Sequence, residues 1–423
     1  MAGLSLGYRR REQLSVICLG LCGLLIVATY LPPFAYLLWM VRFFARELAL
    51  FASGLSLGAI ALVLKPPPVD SAATRRWPLL LGCLLFPVSA LPVVATLPTF
   101  ARLGIGFSLR QYVTVASPSL PAGQVIEDRD VVLVPERPDL RVDVYRPAAS
   151  KSTGSAAALN GAAVVVVHGG SFQRGDKGDV PQVSRALAGS GFAVFDLRYR
   201  LAPQSPFPAA VQDILCIVGR LAAPPAQQSY GIDGTKVALL GRSAGGTLVL
   251  SAAYAAALQG TATQDPPSGP ARVSGCSGPT VVPAAVVAIY PWTDLQAVYA
   301  NPPSPDPLDT RQVMEAYLGG PSVQRPALYA QASPLRDATA RVVLPKTLLI
   351  HGQADTLVPP QQSVALARAL GEAGQSVSHL AIPFAEHGFD HRPGGAAEQL
   401  ARERTQSFLI ESLRNAQSAN SHR

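Results

Sequence analysis

The sequence predicts an α/β domain on a mostly parallel, doubly wound sheet flanked by helices, preceded by an α-helical transmembrane region. Three observations carry this expectation. From about residue 124, β-branched runs of strand length alternate with helix-compatible stretches, the pattern of a parallel sheet covered on both faces. Within the first 110 residues, three long apolar runs carry no charge. Charged residues make up only 15% of the 423, against about 25% in an ordinary soluble domain, and mean hydropathy is +0.25. The expected division is 1–110 for the membrane region, with about three spans, and 111–423 for the α/β domain.

The three apolar runs are 14–31, 48–64 and 78–98, of 18, 17 and 21 residues, the last with internal prolines. A helix needs about 20 apolar residues to cross a bilayer. Arg9–Arg11 ahead of the first run also fit a signal peptide. Two further runs follow and no small-residue cleavage site stands out, so retained helices are expected. Residues 34–44, FAYLLWMVRFF, read as an interfacial segment or an extension of the second helix. With three spans, Arg9, Arg10, Arg11, Lys65, Arg75 and Arg76 share one side, and Arg42, Arg46, Arg102 and Arg110 share the other. The excess puts the N-terminus in the cytoplasm and the large domain on the extracytoplasmic side.

In the α/β domain, 131–134 and 140–147 alternate like strands at a sheet edge. AAVVVVHGG at 162–170 is a continuous β-branched run, expected of a strand buried on both faces. A helix over 180–189, a strand over 192–197, a helix from about 208 and a strand over 236–241 follow. Three more strands are expected at 284–290, 346–352 and 378–383, and a closing helix at about 396–414. Residues 257–282 read as a surface loop, and 292–340 as a candidate cap.

The net charge of +8 is not gathered into basic blocks interleaved with aromatics, so nucleic-acid binding is a poor reading. Cys18, Cys22 and Cys83 lie in apolar runs and are expected to pack as small hydrophobes. No Cys/His group has metal-ligand spacing. A Cys216–Cys276 disulfide is open to the chain only if the domain is exported.

The chemistry centres on GRSAG, with Ser243 between Gly241 and Gly245. Glycines two positions either side of a serine allow a tight strand-to-helix turn that exposes the hydroxyl. Alone, the pattern fits a structural turn equally well. A serine nucleophile also needs a base. Of six histidines, His168 and His351 sit at strand ends, His379 lies inside a strand and His422 in the tail. His387 and His391 remain, just past the last strand, where a loop at the carboxyl edge of the sheet can reach Ser243. His387 comes first, with Gly388 beside it, and His391 second. Asp355 follows the strand 346–351 and can orient the base, although a loop aspartate could simply make an Asx-turn. Ser243, Asp355 and His387 run in the order Ser…Asp…His, each after its own strand. Gly169 and Gly170 after strand 163–167 would supply amides for an oxyanion hole, with the amide of Ala244.

Together these pieces resemble the α/β-hydrolase superfamily, and within it the hormone-sensitive-lipase-like carboxylesterases of the acetylesterase type. The resemblance covers about 124–414 and rests on HGGSF (168–172), YRLAPQSPFPAAVQD (199–213), GRSAGG (241–246), HGQADTLVP (351–359) and EHGF (386–389). It implies hydrolysis of carboxylic esters through an acyl-enzyme, without metal or cofactor. Ser243 is then nucleophile, His387 base and Asp355 its orienter, with Gly169, Gly170 and Ala244 in the oxyanion hole. The stretch from Tyr199 is a hallmark with no chemistry of its own. The chain departs from the pattern at Ser171, where a third glycine or alanine is usual, and at Arg242, where an acidic residue is frequent. Arg242 is expected to set a cation beside the nucleophile. Membrane segments stand where the family has an N-terminal cap region.

The expected partners are a small-molecule or lipid ester and, through the N-terminal helices, membrane lipids. A related reading is a prenylcysteine methylesterase, which a cytoplasmic domain would favour; a peptidase of the superfamily lacks a propeller-like domain here. Outside hydrolysis, the alternatives are a ligand-binding protein of receptor type and a transport or scaffold protein. The presence of all three triad members counts against the first. Charge-free span cores count against an ion pathway. A histidine base makes activity rise with pH through about 6–7.

Overall fold

A computed structural model of the chain describes residues 2–64, 76–115, 124–148, 161–260, 276 and 279–414. The N-terminal region holds α1 (Ala2–Tyr30), α2 (Tyr36–Glu47), α3 (Ala49–Leu64), α4 (Arg76–Val94), α5 (Leu97–Leu103) and α6 (Leu109–Thr114). Arg10–Tyr30 of α1 and Trp77–Leu103 across α4 and α5 are long and apolar enough to cross a membrane. α4 keeps Pro87 and Pro92 inside it. The second expected span differs. α3 has 16 residues, too short to cross alone, and it continues from α2 through a 62° bend. The pair gives a third crossing only if it counts as one broken span. Residues 34–44 therefore belong mostly to a helix of their own. Lys65 and Arg75, used in the charge comparison, lie outside the described residues.

The remainder builds one eight-stranded sheet. Its strands are β1 (Val125–Val132), β2 (Arg141–Pro147), β3 (Ala163–Val167), β4 (Ala193–Leu197), β5 (Val237–Arg242), β6 (Ala285–Ile289), β7 (Lys346–Gly352) and β8 (Val377–Ile382), in the spatial order β1-β2-β4-β3-β5-β6-β7-β8. β1 and β2 are antiparallel and β2 runs antiparallel to β4. Every later pairing is parallel. The first expected strand sits too far along the chain. Leu133 and Val134 leave β1 and fold into the core, where a turn closes on Val134 through the Arg137 amide.

Between the strands lie α7 (Pro181–Gly189), α8 (Ala209–Leu221), α9 (Pro224–Tyr230), α10 (Ala244–Gly260), α11 (Leu295–Ala300), α12 (Thr310–Leu318), α13 (Pro326–Gln331), α14 (Pro334–Asp337) and α15 (Gln361–Glu372), and α16 (Ala396–Arg414) follows β8. β3, β4, β5 and β6 are buried at every residue. That is why they read as unbroken apolar runs instead of alternating ones. One apolar cluster lies on each face of the sheet. The second takes in Ala49, Val93, Phe100 and Tyr112 from the N-terminal helices together with Leu240, Ile350 and Leu409. The membrane-type helices and the sheet thus share a core across residue 110.

Cys216 in α8 and Cys276 form a disulfide, with Cα atoms 5.6 Å apart. Most of the expected 257–282 loop lies outside the described residues.

Candidate active site

β5 ends at Arg242 and α10 begins at Ala244, so Ser243 makes the whole turn, with φ at +55°. A non-glycine residue in the left-handed region is uncommon and stores strain, as a nucleophile elbow requires. The glycines are sterically obligatory. A Cβ on Gly241 would collide with the Gly245 carbonyl, and one on Gly245 with the carbonyls of Val167 and His168. The Ser243 amide donates to Ile289 O at 2.9 Å, which ties the elbow to β6.

His387 stands five residues past β8. Its Nε2 lies 2.9 Å from Ser243 Oγ and its Nδ1 2.7 Å from Asp355 Oδ2. All three residues are buried, with less than 9% of each exposed. The Asp355 carboxylate does two things at once. Oδ1 accepts the amides of Leu357 and Val358 at 3.0 and 2.8 Å, which is the turn the sequence allowed. Oδ2 faces His387, with His351 Nε2 at 3.3 Å. Burial alone would raise the Asp355 carboxyl. The His387 charge and the hydrogen bonds of His351 and His387 outweigh it and hold Asp355 well below the usual carboxylate range. His351 also bonds to Ser363 Oγ at 2.7 Å and Val358 O at 3.0 Å, so it is fixed under the loop that carries Asp355.

The second candidate base, His391, is not joined to Ser243. Its Nε2 lies 3.5 Å from Asp179 and its Nδ1 3.6 Å from Asp390. Burial would lower it, but these two carboxylates push it up to about 9. A group that keeps its proton to that pH is a poor base at neutrality. Arg242 stands next to Ser243 as expected, and its charge is paired. It is buried between Asp179 at 3.5 Å and Asp390 at 3.6 Å. Asp390 also accepts from Tyr290 Oη, and the Tyr290 ring lies 4.3 Å from that of His387.

The HGGSF loop passes directly beside the serine. A Cβ on Gly169 would sit 3.2 Å from Ser243 Cβ. Gly170, at φ +106°, has no room for a side chain because the Arg174 carbonyl fills that space. Ser171 and Phe172 are also left-handed, at +55° and +63°. Tyr199 supplies the role that the sequence left open for its stretch. Its hydroxyl donates to His168 O at 3.1 Å, and its ring stacks on His168 at 4.2 Å. The Ala202 amide holds Phe172 O at 2.9 Å. The YRLAP segment thus braces the glycine loop from behind. Burial pushes His168 down to about 4, so its ring is neutral and its Nδ1–H donates to Gly169 O at 2.8 Å.

Sequence reasoning passed over Glu386. Its Oε1 accepts the Thr356 amide at 2.6 Å and the His387 amide at 3.2 Å, so it bridges the loops of Asp355 and His387. Its Oε2 meets Arg46 of α2 at 3.0 Å, with Arg42 at 3.4 Å. Burial raises the Glu386 carboxyl and Asp355 adds to the rise, while Arg46 and Arg42 oppose it. Nothing local in the sequence joins residue 46 to residue 386.

A cavity of about 470 Å³ opens over Ser243 and His387, within the range of small-molecule sites. Gly169, Gly170 and Leu357 form part of its wall, and Leu308 is the contribution of the expected cap segment. α2 adds Tyr36, Trp39, Met40, Phe43 and Phe44 to the lining.

Residues 142–370 match the BD-FAE family. The chain belongs to that family. It is 31% identical over 237 residues to an acetyl-hydrolase of Streptomyces hygroscopicus, covering 54% of this chain and 68% of the relative. It is 30% identical over 257 residues to an ethyl acetate hydrolase of Pseudomonas putida, covering 59% and 71%. It is 26% identical over 230 residues to esterase LipC of Mycobacterium tuberculosis, of which it spans only 53%. Among solved structures, esterase B of Lactobacillus rhamnosis superposes with a TM-score of 0.55 at 20% identity, over 78% of this chain and 99% of that one. A hyperthermophilic esterase of Pyrobaculum calidifontis superposes with a TM-score of 0.51 at 25% identity, over 70% and 86%. The family member described here is an α/β-hydrolase and a carboxyl ester hydrolase.

Proposed function

We propose that this esterase is a membrane-anchored serine hydrolase that works through Ser243, His387 and Asp355. The observation that carries the reading is the unbroken relay of 2.9 and 2.7 Å contacts from Ser243 Oγ through His387 to Asp355. Ser243 Oγ attacks the ester carbonyl while His387 Nε2 takes its proton. The tetrahedral oxyanion is held by the amides of Gly169, Gly170 and Ala244, which the glycine loop and the α10 N-terminus bring to the serine. His387 returns the proton to the departing alkoxide, leaving the acyl group on Ser243. A water deprotonated by His387 then releases the acid and restores Ser243. Asp355 keeps Nδ1 protonated and steadies the imidazolium formed in each half-reaction.

Residues 1–110 anchor the enzyme through α1 and α4, with α2 and α3 as a bent pair, and 111–423 form the catalytic domain. The extracytoplasmic side suits that domain. The Cys216–Cys276 disulfide supports it, since such bonds persist in oxidising compartments, and so does the excess of Arg and Lys on the N-terminal side. The relay's completeness counts against a purely ligand-binding protein, and an extracytoplasmic domain counts against a prenylcysteine methylesterase.

The test is labelling of the purified protein and its Ser243→Ala variant with a fluorophosphonate probe, alongside hydrolysis of p-nitrophenyl acetate. Labelling and turnover lost in the variant support the serine mechanism; a folded wild-type protein that does not label refutes it. An impermeant amine reagent should reach the catalytic domain in intact cells. Labelling only after lysis reverses the orientation.

A further inference from the structure

α2 carries an unusual distribution of apolar side chains. Trp39 and Phe43, one turn apart, are 8% and 9% exposed and line the cavity over Ser243. Tyr36, Met40 and Phe44 form the neighbouring i, i+4, i+8 stripe. They line the same cavity yet remain 46%, 37% and 56% exposed. A side chain that both lines a cavity and faces outward marks its rim, so the cavity opens along this stripe. Beyond it, Leu37, Leu38 and Val41 are exposed too. The helix is therefore apolar on its inner face, its rim and its outer face. A surface helix covering a soluble enzyme would be polar on the last two.

The polar residues of α2 are spent on holding it in place. Arg42 and Arg46 turn to Glu386, and Arg46 also donates to Ala354 O at 3.2 Å and to Thr29 O of α1 at 3.3 Å. α2 is thus pinned to the loops of Asp355 and His387 at one end. Through α3 it is continuous with the bundle of α1 and α4, the two helices long enough to cross a membrane. On the anchoring proposed above, the bundle places the apolar rim beside the bilayer.

We propose that α2 is the acyl-binding wall of the active site, and that the substrate is an ester with a long apolar chain that passes from the bilayer over the Tyr36–Met40–Phe44 rim to Ser243. This rests on the serine-esterase reading above. Trp39 and Phe43 then hold the chain, while Gly169 and Gly170 hold the ester head. Each methylene moved from water into such a wall raises kcat/KM by up to about fourfold, so long-chain esters are favoured over acetate.

The experiment compares p-nitrophenyl decanoate with p-nitrophenyl acetate on the full-length enzyme in phosphatidylcholine vesicles. The expected decanoate-to-acetate ratio of kcat/KM exceeds ten. Met40→Trp, which fills the rim, lowers that ratio at least tenfold. Should that variant fail to fold, Phe44→Ala removes an aromatic from the same stripe and lowers the ratio about threefold. A wild-type enzyme that prefers acetate overturns the inference. So do variants whose ratio stays within a factor of 1.5 of wild type, by about the precision of the assay. The Ser243→Ala control separates the two claims. Acetate turnover that survives in it sinks the serine mechanism, whereas Ser243-dependent turnover with a flat ratio sinks only the role of α2.

Discussion

The catalytic body and the N-terminal helices reach the same cavity by different physics. In the body, each proposed catalytic side chain stands just past the carboxyl end of a parallel strand: Ser243 after β5, Asp355 after β7 and His387 after the edge strand β8. Backbone geometry does most of the positioning, through the +55° φ of Ser243 and the glycines that nothing larger can replace. The helical region has no such scaffold beside the site. α2 is held over the cavity by two arginines on one carboxylate and by the burial of Trp39 and Phe43. On the proposed mechanism, a rigid scaffold sets the chemistry, and a helix attached by a few strong contacts sets what the chemistry meets. The first should be sensitive to single atoms and the second to single ion pairs.

The sharpest break falls in the body. Ser243→Ala should lower kcat by roughly 10⁴–10⁶-fold while the melting temperature stays close to wild type, measured by ester hydrolysis and thermal denaturation in mild detergent. Next comes the join between the regions. Arg46→Met leaves Glu386 buried with only Arg42 nearby, and removing one partner of a buried pair costs about 3–5 kcal/mol. A clear fall in melting temperature is expected, together with slower turnover, because Glu386 bridges the Asp355 and His387 loops. If melting and turnover are both unchanged, α2 is a separate module and the comparison collapses.

Cys216→Ser removes a cross-link between residues 60 apart in sequence. It should cost about 2–4 kcal/mol, toward the upper end for a loop of that length, and leave kcat little changed. The same loss should follow treatment of the wild type with reductant. The smallest effect concerns His391. It is held at about 9 in the fold, above the ordinary histidine value of about 6.5. Its charged contacts to Asp179 and Asp390 therefore stabilise fully below about pH 6.5 and are lost as pH rises through 9. Wild-type melting temperature should decline between those limits by more than that of His391→Gln. Parallel curves would remove His391 from the stabilising network.

Much of the body was legible because its signals are local. β3, β5 and β6 read as unbroken apolar runs since both faces are covered, and after β5 a helix starts within two residues. The exception, Leu133 and Val134, shows the limit of period-two reasoning. Apolar residues at a strand's end look like strand whether they pair or fold under. His387 could be ranked above His391 because it comes first after the last strand with Gly388 beside it, but only the Asp179 and Asp390 carboxylates show what His391 does instead. For Arg242 the cation beside Ser243 was visible in the sequence while its partners, Asp179 and Asp390, were not.

The sequence by itself determined the strand–helix alternation, the order of Ser243, Asp355 and His387, the glycines of the elbow and the apolar character of the first 110 residues. Periodicity, steric demand and hydropathy are properties of neighbouring residues, and a sequence displays them directly. Only the tertiary structure decided that α2 bends 62° away from α3 to roof the cavity, that Arg46 meets Glu386 across 340 positions, and that Cys216 pairs with Cys276. Those contacts join distant segments, and their free energy depends on burial and charge pairing that exist only once the chain has folded.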